Sequence, residues 1–143
     1  MRRRIIQAPF NGFGTAGLFE ETDLRVIVST EGGGWQVGDG SVHSGGYCYY
    51  TTRNGATATW SMWFDVPMRF DLISILAAGL GSISVSMDGT TLGTFSQAAP
   101  TTVNAATVWT SPVIQPGPHT VVETVISVGG QVSIVDAIYF YPA

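Results

Sequence analysis

The stretch Gly55-Ala-Thr-Ala-Thr-Trp-Ser-Met-Trp-Phe-Asp-Val-Pro67 indicates the fold class of this chain. Side chains alternate between the two faces of a β-strand, so every second residue here would share a face. A helix would scatter the same residues around its circumference. The stretch therefore predicts a long central strand with one apolar, buried face and one face of mostly hydroxyl groups. The expected buried set is Ala56, Ala58, Trp60, Met62, Phe64 and Val66, and the opposite set is Thr57, Thr59, Ser61, Trp63 and Asp65.

Further strands are predicted on both sides of this one, separated by turns rich in Gly, Asn, Asp and Pro. Asp88-Gly89 joins two alternating runs and is the clearest hairpin turn. Residues 96–106 are small and polar and include a proline, which favours a surface loop. The pattern is typical of an all-β, antiparallel two-sheet sandwich of jelly-roll type, without a convincing helix. Strands are predicted at residues 24–30, 35–37, 47–52, 55–67, 70–78, 82–87, 90–95, 107–114, 119–128 and 132–141.

The first 23 residues show no period and predict an irregular, extended N-terminal arm, followed by one sandwich domain at residues 24–143. Pro and Gly interrupt the arm, yet it is more apolar than a plain disordered tail. The arm is expected to pack over its own sandwich, to reach a neighbouring subunit, or to stay disordered. Because a low surface charge also favours association, we expect a homo-oligomer, most simply a trimer. The assembly-arm residues are Arg2, Arg3, Arg4, Ile5, Ile6, Phe10, Phe13 and Phe19.

The composition excludes several classes of partner. Charged residues make up 11 % of the 143 residues, there is no lysine, and the net charge is −4. An acidic body argues against nucleic acid as a partner, because phosphate binding needs a basic surface. No apolar run is long enough to span a membrane, and the N-terminus lacks the continuous apolar segment of a secretory signal. The single cysteine, Cys48, cannot form an intrachain disulfide.

A set of motifs follows a recognisable order along the chain. Trp35 lies in a Gly-rich stretch and is followed by His-Ser-Gly-Gly at residues 43–46 and by Gly-Ala-Thr-Ala-Thr-Trp at residues 55–60. Val-Ser-Met-Asp-Gly, Pro-Gly-Pro-His-Thr-Val and Val-Asp-Ala-Ile-Tyr-Phe then begin at residues 85, 116 and 135. This order resembles the galactose-binding-domain-like β-sandwiches, which include many carbohydrate-binding modules and adhesive phage domains. The resemblance covers residues 35–141 and implies a sandwich fold and a framework role for His119.

Asp136 is the candidate metal ligand in this sequence. It shares a predicted strand face with Ile134 and Ile138, so its carboxylate needs hydrogen-bond donors or an ion. A hydrogen-bonded anchor for a nearby loop is the main expectation. A structural calcium ion is the weaker one, since sandwiches of the resembled superfamily often carry one and calcium prefers oxygen ligands. No other cofactor is expected.

The sequence offers little for catalysis. His43 and His119 are the only histidines, and Ser44 beside His43 does not make a triad, because sequence neighbours on a loop lack the required geometry. No nucleotide-binding, zinc-protease or nucleophile-elbow motif occurs. The acidic residues at Asp65, Asp71, Glu123 and Asp136 have no spacing that singles out a catalytic pair. We therefore expect a protein that is not an enzyme.

Sugar binding needs aromatic rings that stack on the C–H faces of a sugar, together with a few polar groups. Trp63 is the most informative candidate, because it falls on the hydroxyl-bearing face of the central strand. The opposing expectations are that another sheet or the arm covers Trp63, and that the tyrosines only pack between strands. The candidate sugar-binding residues are Trp35, Tyr47, Tyr49, Tyr50, Trp63 and Trp109.

Two functions compete on these observations. The first is a virion structural protein of a bacteriophage, such as a capsid decoration or fibre-type surface protein, assembled in the host cytoplasm with other virion proteins through the arm. The second is an extracellular carbohydrate-binding module or lectin-like adhesion domain that recognises a surface glycan. An arm that clasps another chain would favour the first. Aromatic residues open to solvent would favour the second.

Overall fold

The strands of the chain are seen in a computed structural model that describes residues 17–20, 26–28, 34–39, 47–64 and 66–143. Within these ranges the chain forms β-strands and turns, and no helix long and apolar enough to cross a membrane occurs there. The strands are β1 Gly17–Glu20, β2 Val26–Val28, β3 Gln36–Asp39, β4 Tyr47–Thr51, β5 Thr57–Phe64, β6 Met68–Leu76, β7 Ser82–Met87, β8 Thr90–Ser96, β9 Val103–Thr110, β10 Gly117–Ile126, β11 Ser133–Val135 and β12 Ala137–Pro142.

The strands form two larger sheets and a small one, and their pairings are antiparallel. One sheet has the order β1-β12-β6-β9, and the other has the order β2-β5-β10-β7-β8. The small sheet has the order β11-β4-β3. It is connected directly to the four-stranded sheet, because only Asp136 separates β11 from β12 along the chain. The predicted all-β antiparallel sandwich is confirmed.

The central strand β5 has the predicted alternation. Trp60, Met62 and Phe64 are 2 %, 4 % and 1 % exposed, whereas Ser61 and Trp63 between them face solvent. The buried side chains of β5 meet those of β6 and β12 in one core, which includes Phe70 and Phe140. Apolar burial on this scale is the main favourable term in folding a sandwich of this size.

Val66 corrects the prediction for the end of this strand. It was expected on the buried face, but it is 40 % exposed. The strand ends at Phe64, so the alternation of side chains does not extend to Val66. Asp65 lies outside the described residues.

Two other predictions are also corrected. Residues 96–106 are not all surface loop, because β9 begins at Val103 and Gln97 is fully buried. The predicted strand at residues 132–141 is two strands, because the chain passes from the small sheet to the four-stranded sheet at Asp136.

Part of the predicted arm belongs to the sandwich. Strand β1 pairs with β12 in antiparallel register, with Phe19 opposite Ile138. This part of residues 1–23 is therefore a regular strand in the chain's own sheet and not an irregular arm. The domain boundary at residue 23 lies outside the described residues, as do the other assembly-arm residues Arg2, Arg3, Arg4, Ile5, Ile6, Phe10 and Phe13.

The predicted hairpin at Asp88-Gly89 is confirmed. Both residues have positive φ angles, 50° and 83°, which is the geometry of the tight turns that match strand twist. Asp88 also reaches β10, where the Thr120 amide donates to its Oδ1 and His119 Nδ1 lies 2.6 Å from its Oδ2. Burial alone would raise the pKa of Asp88, but the hydrogen bonds from His119 and Thr120 hold it below its usual value.

His119 has the framework role that the resemblance implies. Its Nδ1 contacts Asp88, and its Nε2 lies 2.7 Å from the carbonyl oxygen of Gln115. Its ring also packs at 5.9 Å from the ring of Phe64. Both nitrogens are therefore engaged in holding the start of β10 against the hairpin.

The side chain of Gln97 joins β11 of the small sheet to β6 of the four-stranded sheet. Its Nε2 donates to the Ile134 carbonyl at 2.6 Å and to Ser74 Oγ at 2.9 Å, while its Oε1 accepts from the Ile134 amide at 3.0 Å. The side-chain amide thus pairs with the backbone of Ile134 as a neighbouring strand would. This explains why a long polar side chain is fully buried here.

Gln97→Met is expected to lower the free energy of unfolding by about 1–3 kcal/mol, because it keeps the side-chain length but leaves the half-buried N–H and C=O of Ile134 without their amide partner. Chemical denaturation would measure the loss. Gln115→Met is the matched control, since Gln115 is exposed, and it should change stability by less than about 0.5 kcal/mol. Equal effects of the two substitutions would contradict the bridging role of Gln97.

Candidate functional site

The outer face of the five-stranded sheet carries the candidate site. Strand register places Ser61 opposite Thr120, and places Thr59 and Ser86 on either side of Val122. The next row runs from Thr57 through Thr124 and Ser84 to Thr94, as the same registers and the β7–β8 pairing show. Opposed residues on adjacent strands lie about 4.5–5.5 Å apart, so their hydroxyl groups form a closely spaced array. We call this surface the hydroxyl face: Thr57, Thr59, Ser61, Trp63, Ser82, Ser84, Ser86, Thr91, Thr94, Ser96, Pro118, Thr120, Val122, Thr124 and Ile126.

The side-chain hydroxyls of this face are open to a ligand. Ser61, Thr94 and Thr120 are exposed, and Thr57, Thr59 and Ser84 are half-buried. Among the described residues, one side-chain hydroxyl of this face takes part in a hydrogen bond within the protein: Ser96 Oγ accepts from the Ala98 amide. A serine or threonine hydroxyl can both donate and accept. The face therefore presents many hydrogen-bonding groups whose capacity is not used within the described sandwich.

Trp63 stands at one end of the hydroxyl face. Its side chain is 40 % exposed, which is a large exposed fraction for a tryptophan in a strand with a buried face. Its register partner on β10 is Pro118, so the ring lies beside a rigid, apolar neighbour. Trp63 is thus an exposed aromatic platform next to the hydroxyl array.

The other tryptophans are placed differently. Trp35 is half-buried against the main core, and its Nε1 donates to the Thr57 carbonyl at 3.1 Å. Trp109 also packs on this core, 5.6 Å from the ring of Phe70. A side chain on Gly93 would come within 3.2 Å of Trp109 Nε1, so β8 and β9 approach closely there. Both rings are committed to packing, and neither lies on the hydroxyl face.

The tyrosine candidates lie on another sheet. Tyr49 and Tyr50 are half-buried in β4, where they pair with β3 and β11. The side chain of Tyr47 lies outside the described part of the structure. The structure therefore does not bring Tyr49 and Tyr50 together with Trp63, and the role of the three tyrosines in sugar binding stays a prediction.

A second aromatic pair lies on the four-stranded sheet. Tyr139 and Tyr141 stack with ring centroids 5.6 Å apart, and the Tyr141 hydroxyl donates to Asp71 Oδ1 at 3.1 Å. Thr110 Oγ1 donates to the same oxygen at 2.8 Å. Burial and then the Asp71 carboxylate raise the pKa of Tyr141. Asp71 therefore orders neighbouring side chains on β9 and β12 and is not paired with a second carboxylate.

Glu123 is a carboxylic acid inside the core. It is 4 % exposed, lies opposite Ala58 and Val85, and accepts a hydrogen bond from Trp60 Nε1 at 2.8 Å on Oε2. Burial raises its pKa to about 7, while the hydrogen bond from Trp60 acts in the opposite direction. A carboxyl group enclosed between two sheets cannot reach a ligand on the surface. Glu123 therefore affects the stability of the fold and its dependence on pH.

The structure offers limited support for a metal site. Asp136 is 1 % exposed at the junction of β11 and β12, and it takes part in an interaction, so it is not a free carboxylate. No group of three or more His, Cys, Asp or Glu side chains within the described ranges could hold a metal ion. Calcium binding at Asp136 stays a prediction.

Comparison with known proteins identifies the fold. No family model and no curated protein matches the chain. Among solved structures, the CBM36-1 domain of a multidomain xylanase from the hindgut metagenome of Trinervitermes trinervoides matches with a TM-score of 0.62 and 15 % identity, over 90 % of this chain and 98 % of that one. The CBM35 from Cellvibrio japonicus Abf62 matches with a TM-score of 0.63 and 19 % identity, over 90 % and 94 %.

This is the fold of the galactose-binding-domain-like β-sandwiches. A carbohydrate-binding module CBM36 in complex with calcium and xylotriose shares this galactose-binding-like fold, with a TM-score of 0.58 and 19 % identity over 87 % of this chain and 98 % of that one. The fold also occurs as part of longer chains. It accounts for 13 % of a Paenibacillus xanthan lyase, which matches with a TM-score of 0.64 and 17 % identity over 88 % of this chain. The resemblance predicted from the sequence is therefore confirmed at the level of the fold.

The sequence could point to Trp63 but not to the array beside it. The alternation in β5 placed Trp63, Ser61 and Thr59 on one face. The Ser82-Ile-Ser-Val-Ser86 run of β7 shows the same alternation, yet only the strand order sets β7 and β5 on either side of β10. The hydroxyl face is therefore assembled from segments far apart in the chain.

Proposed function

We propose that this chain is a non-catalytic carbohydrate-binding module that binds a glycan on its hydroxyl face, with Trp63 as the stacking platform. The observation that carries the proposal is the 40 % exposure of Trp63 beside an open array of hydroxyl groups. A sugar ring presents C–H groups on its faces and hydroxyls on its edge. An exposed indole matches the first, and side-chain hydroxyls match the second.

The structural neighbours support this proposal over the virion function. Several of them are carbohydrate-binding modules, and the solved CBM36 complex contains xylotriose. None of the reported neighbours supports a capsid decoration or fibre role. The assembly arm, a homo-oligomer and a virion location therefore remain predictions, and so does the extracellular location that a carbohydrate-binding module would imply.

A non-catalytic role also agrees with the side chains. Asp71 is hydrogen-bonded to Tyr141 and Thr110, Glu123 is buried in the core, and His119 is engaged through both nitrogens. Two of the neighbours from larger enzymes, a xanthan lyase and an exo-β-1,3-galactanase, share the fold over only 13 % and 29 % of their chains. The CBM36 neighbour is in complex with calcium, so calcium is a ligand to include in any binding assay.

Trp63→Ala is expected to weaken glycan binding by about tenfold to a hundredfold, because it removes the stacking platform without touching the core. A glycan array would first identify a ligand, with and without calcium, and calorimetry would then measure the affinities. Val113→Ala is the matched control, since Val113 is equally exposed but lies off the hydroxyl face. Its affinity should equal that of the unmodified protein.

Two results would contradict the proposal. One is an array without binding at high protein concentration. The other is a Trp63→Ala variant that folds and still binds its glycan with unchanged affinity, which would place the site elsewhere.

A further inference from the structure

Within the described residues, the hydroxyl face carries no basic side chain, and the ionisable group that borders it is the Asp88 carboxylate beside Thr120. On β5, β10, β7 and β8, each described position of the face apart from Trp63, Pro118, Val122 and Ile126 is a serine or a threonine, and the edge strand β2 adds Ile27 opposite Thr59. Surface positions of an average protein include many charged residues, so a sheet face whose described part holds no cation limits what it can bind. A ligand on this face is held by hydrogen bonds and stacking alone.

In the part of the chain that the structure describes, positive charge is absent from the face and sparse elsewhere. The described arginines are Arg53, in the turn before β5, and Arg69, on β6 of the other sheet, where its Nη1 donates to the Ser111 carbonyl. The chain as a whole carries a net charge of −4. A polymer rich in carboxylate, sulfate or phosphate would meet no cation on the described part of the face, and the Asp88 carboxylate beside Thr120 would repel it. The electrostatics therefore disfavour an anionic glycan.

The dimensions of the face suit an extended chain. From Thr57 to Trp63 along β5 is six residue steps, or about 20 Å. Ser61 and Thr120, Thr59 and Val122, and Thr57 and Thr124 form successive rows across β5 and β10 behind Trp63. Repeated hydroxyls at strand spacing can contact repeated hydroxyls of a polymer. This arrangement fits several consecutive sugar units better than a single terminal sugar.

We infer that the ligand is an uncharged, extended polysaccharide that lies along β5 and β10, anchored at Trp63 and hydrogen-bonded by Ser61 and Thr120. The inference rests on the proposed function and adds the chemical class and the path of the glycan. It assigns Ser61 and Thr120 as ligand contacts, because both are exposed and directly opposed across the two strands.

The experiment pairs each acidic polysaccharide with its carboxyl-reduced form, so that only the charge differs. Polygalacturonan and a glucuronoxylan are suitable, together with neutral arabinoxylan, β-glucan and galactomannan. We expect binding to neutral or carboxyl-reduced polymers and not to their acidic parents. Because no charge pair contributes, the affinity should change less than about twofold between roughly 0.05 and 0.5 M salt.

Substitutions then test the path. Ser61→Ala and Thr120→Val should each weaken binding to the neutral polymer by about threefold to tenfold, the effect of one hydrogen bond. Thr107→Val, on an exposed position of β9 in the other sheet, is the matched control and should have no effect. The affinity should also rise with the number of sugar units up to the length of the face.

The possible failures are distinguishable. Binding restricted to acidic polymers would overturn the inference and leave the proposed function standing. Binding to a neutral polymer that neither Ser61→Ala nor Thr120→Val weakens, in variants that fold, would also overturn the inference and leave the proposed function standing. An absence of binding to every polymer and oligosaccharide would overturn the proposed function and the inference together.

Discussion

Phe64→Ala is expected to lower the free energy of unfolding by about 3–5 kcal/mol, through lost burial and the cavity that remains. Phe64 is 1 % exposed, and its ring packs 5.4 Å from Phe140 of the facing sheet and 5.9 Å from His119. The side chain therefore joins the two sheets, and the rigid strands around it can close the cavity only in part. Since a domain of this size has only about 5–15 kcal/mol of stability, the melting temperature should fall visibly.

Ser61→Ala is the matched control for this measurement. Ser61 lies three positions earlier in β5 on the opposite, exposed face. Its loss should change the free energy of unfolding by less than about 0.5 kcal/mol. Comparable melting shifts for Phe64→Ala and Ser61→Ala would show that β5 does not have one buried face, and the sandwich would have to be redrawn.

The second large effect is a dependence of stability on pH that comes from Glu123. Its pKa is raised from 4.5 to about 7 in the folded protein, because its carboxyl group is fully enclosed in the core. The folded protein thus binds a proton between these pH values that the unfolded chain has released. The stabilising effect of this proton is complete below pH 4.5 and is lost as the pH rises through about 7. The free energy of unfolding should fall by about 3 kcal/mol across this window.

Glu123→Gln separates this effect from other titrations. The amide has nearly the same shape and no charge, and its oxygen can accept the hydrogen bond from Trp60 Nε1. The variant should lose the fall in stability between about pH 5 and 8 and be more stable than the unmodified protein at pH 8. Asp88 does not interfere, because its lowered pKa places its titration below 3.8 and gives the opposite sign. A variant that keeps the same pH dependence would show that Glu123 is not its source.

The sequence by itself determined the strand class and the faces of individual strands. Alternation over residues 55–64 predicted which residues of β5 are buried, because the two-residue period of a strand is a local property. Asp88-Gly89 predicted a hairpin for an equally local reason, since its positive φ angles suit that turn. The motif order from Trp35 onwards also predicted the galactose-binding-like fold, which the comparisons confirm.

Tertiary structure decided where segments distant in sequence meet, because pairing and burial depend on the strand order of the whole sheet. It placed β1 in the sandwich, buried Gln97 against Ile134, and left Val66 exposed after β5 had ended. It also raised the pKa of Glu123, which no local pattern reveals, because desolvation depends on both sheets. The hydroxyl face was also decided by tertiary structure. Strands β5, β10, β7 and β8 are separated in the chain, and only their pairing makes one hydroxyl-rich surface beside Trp63.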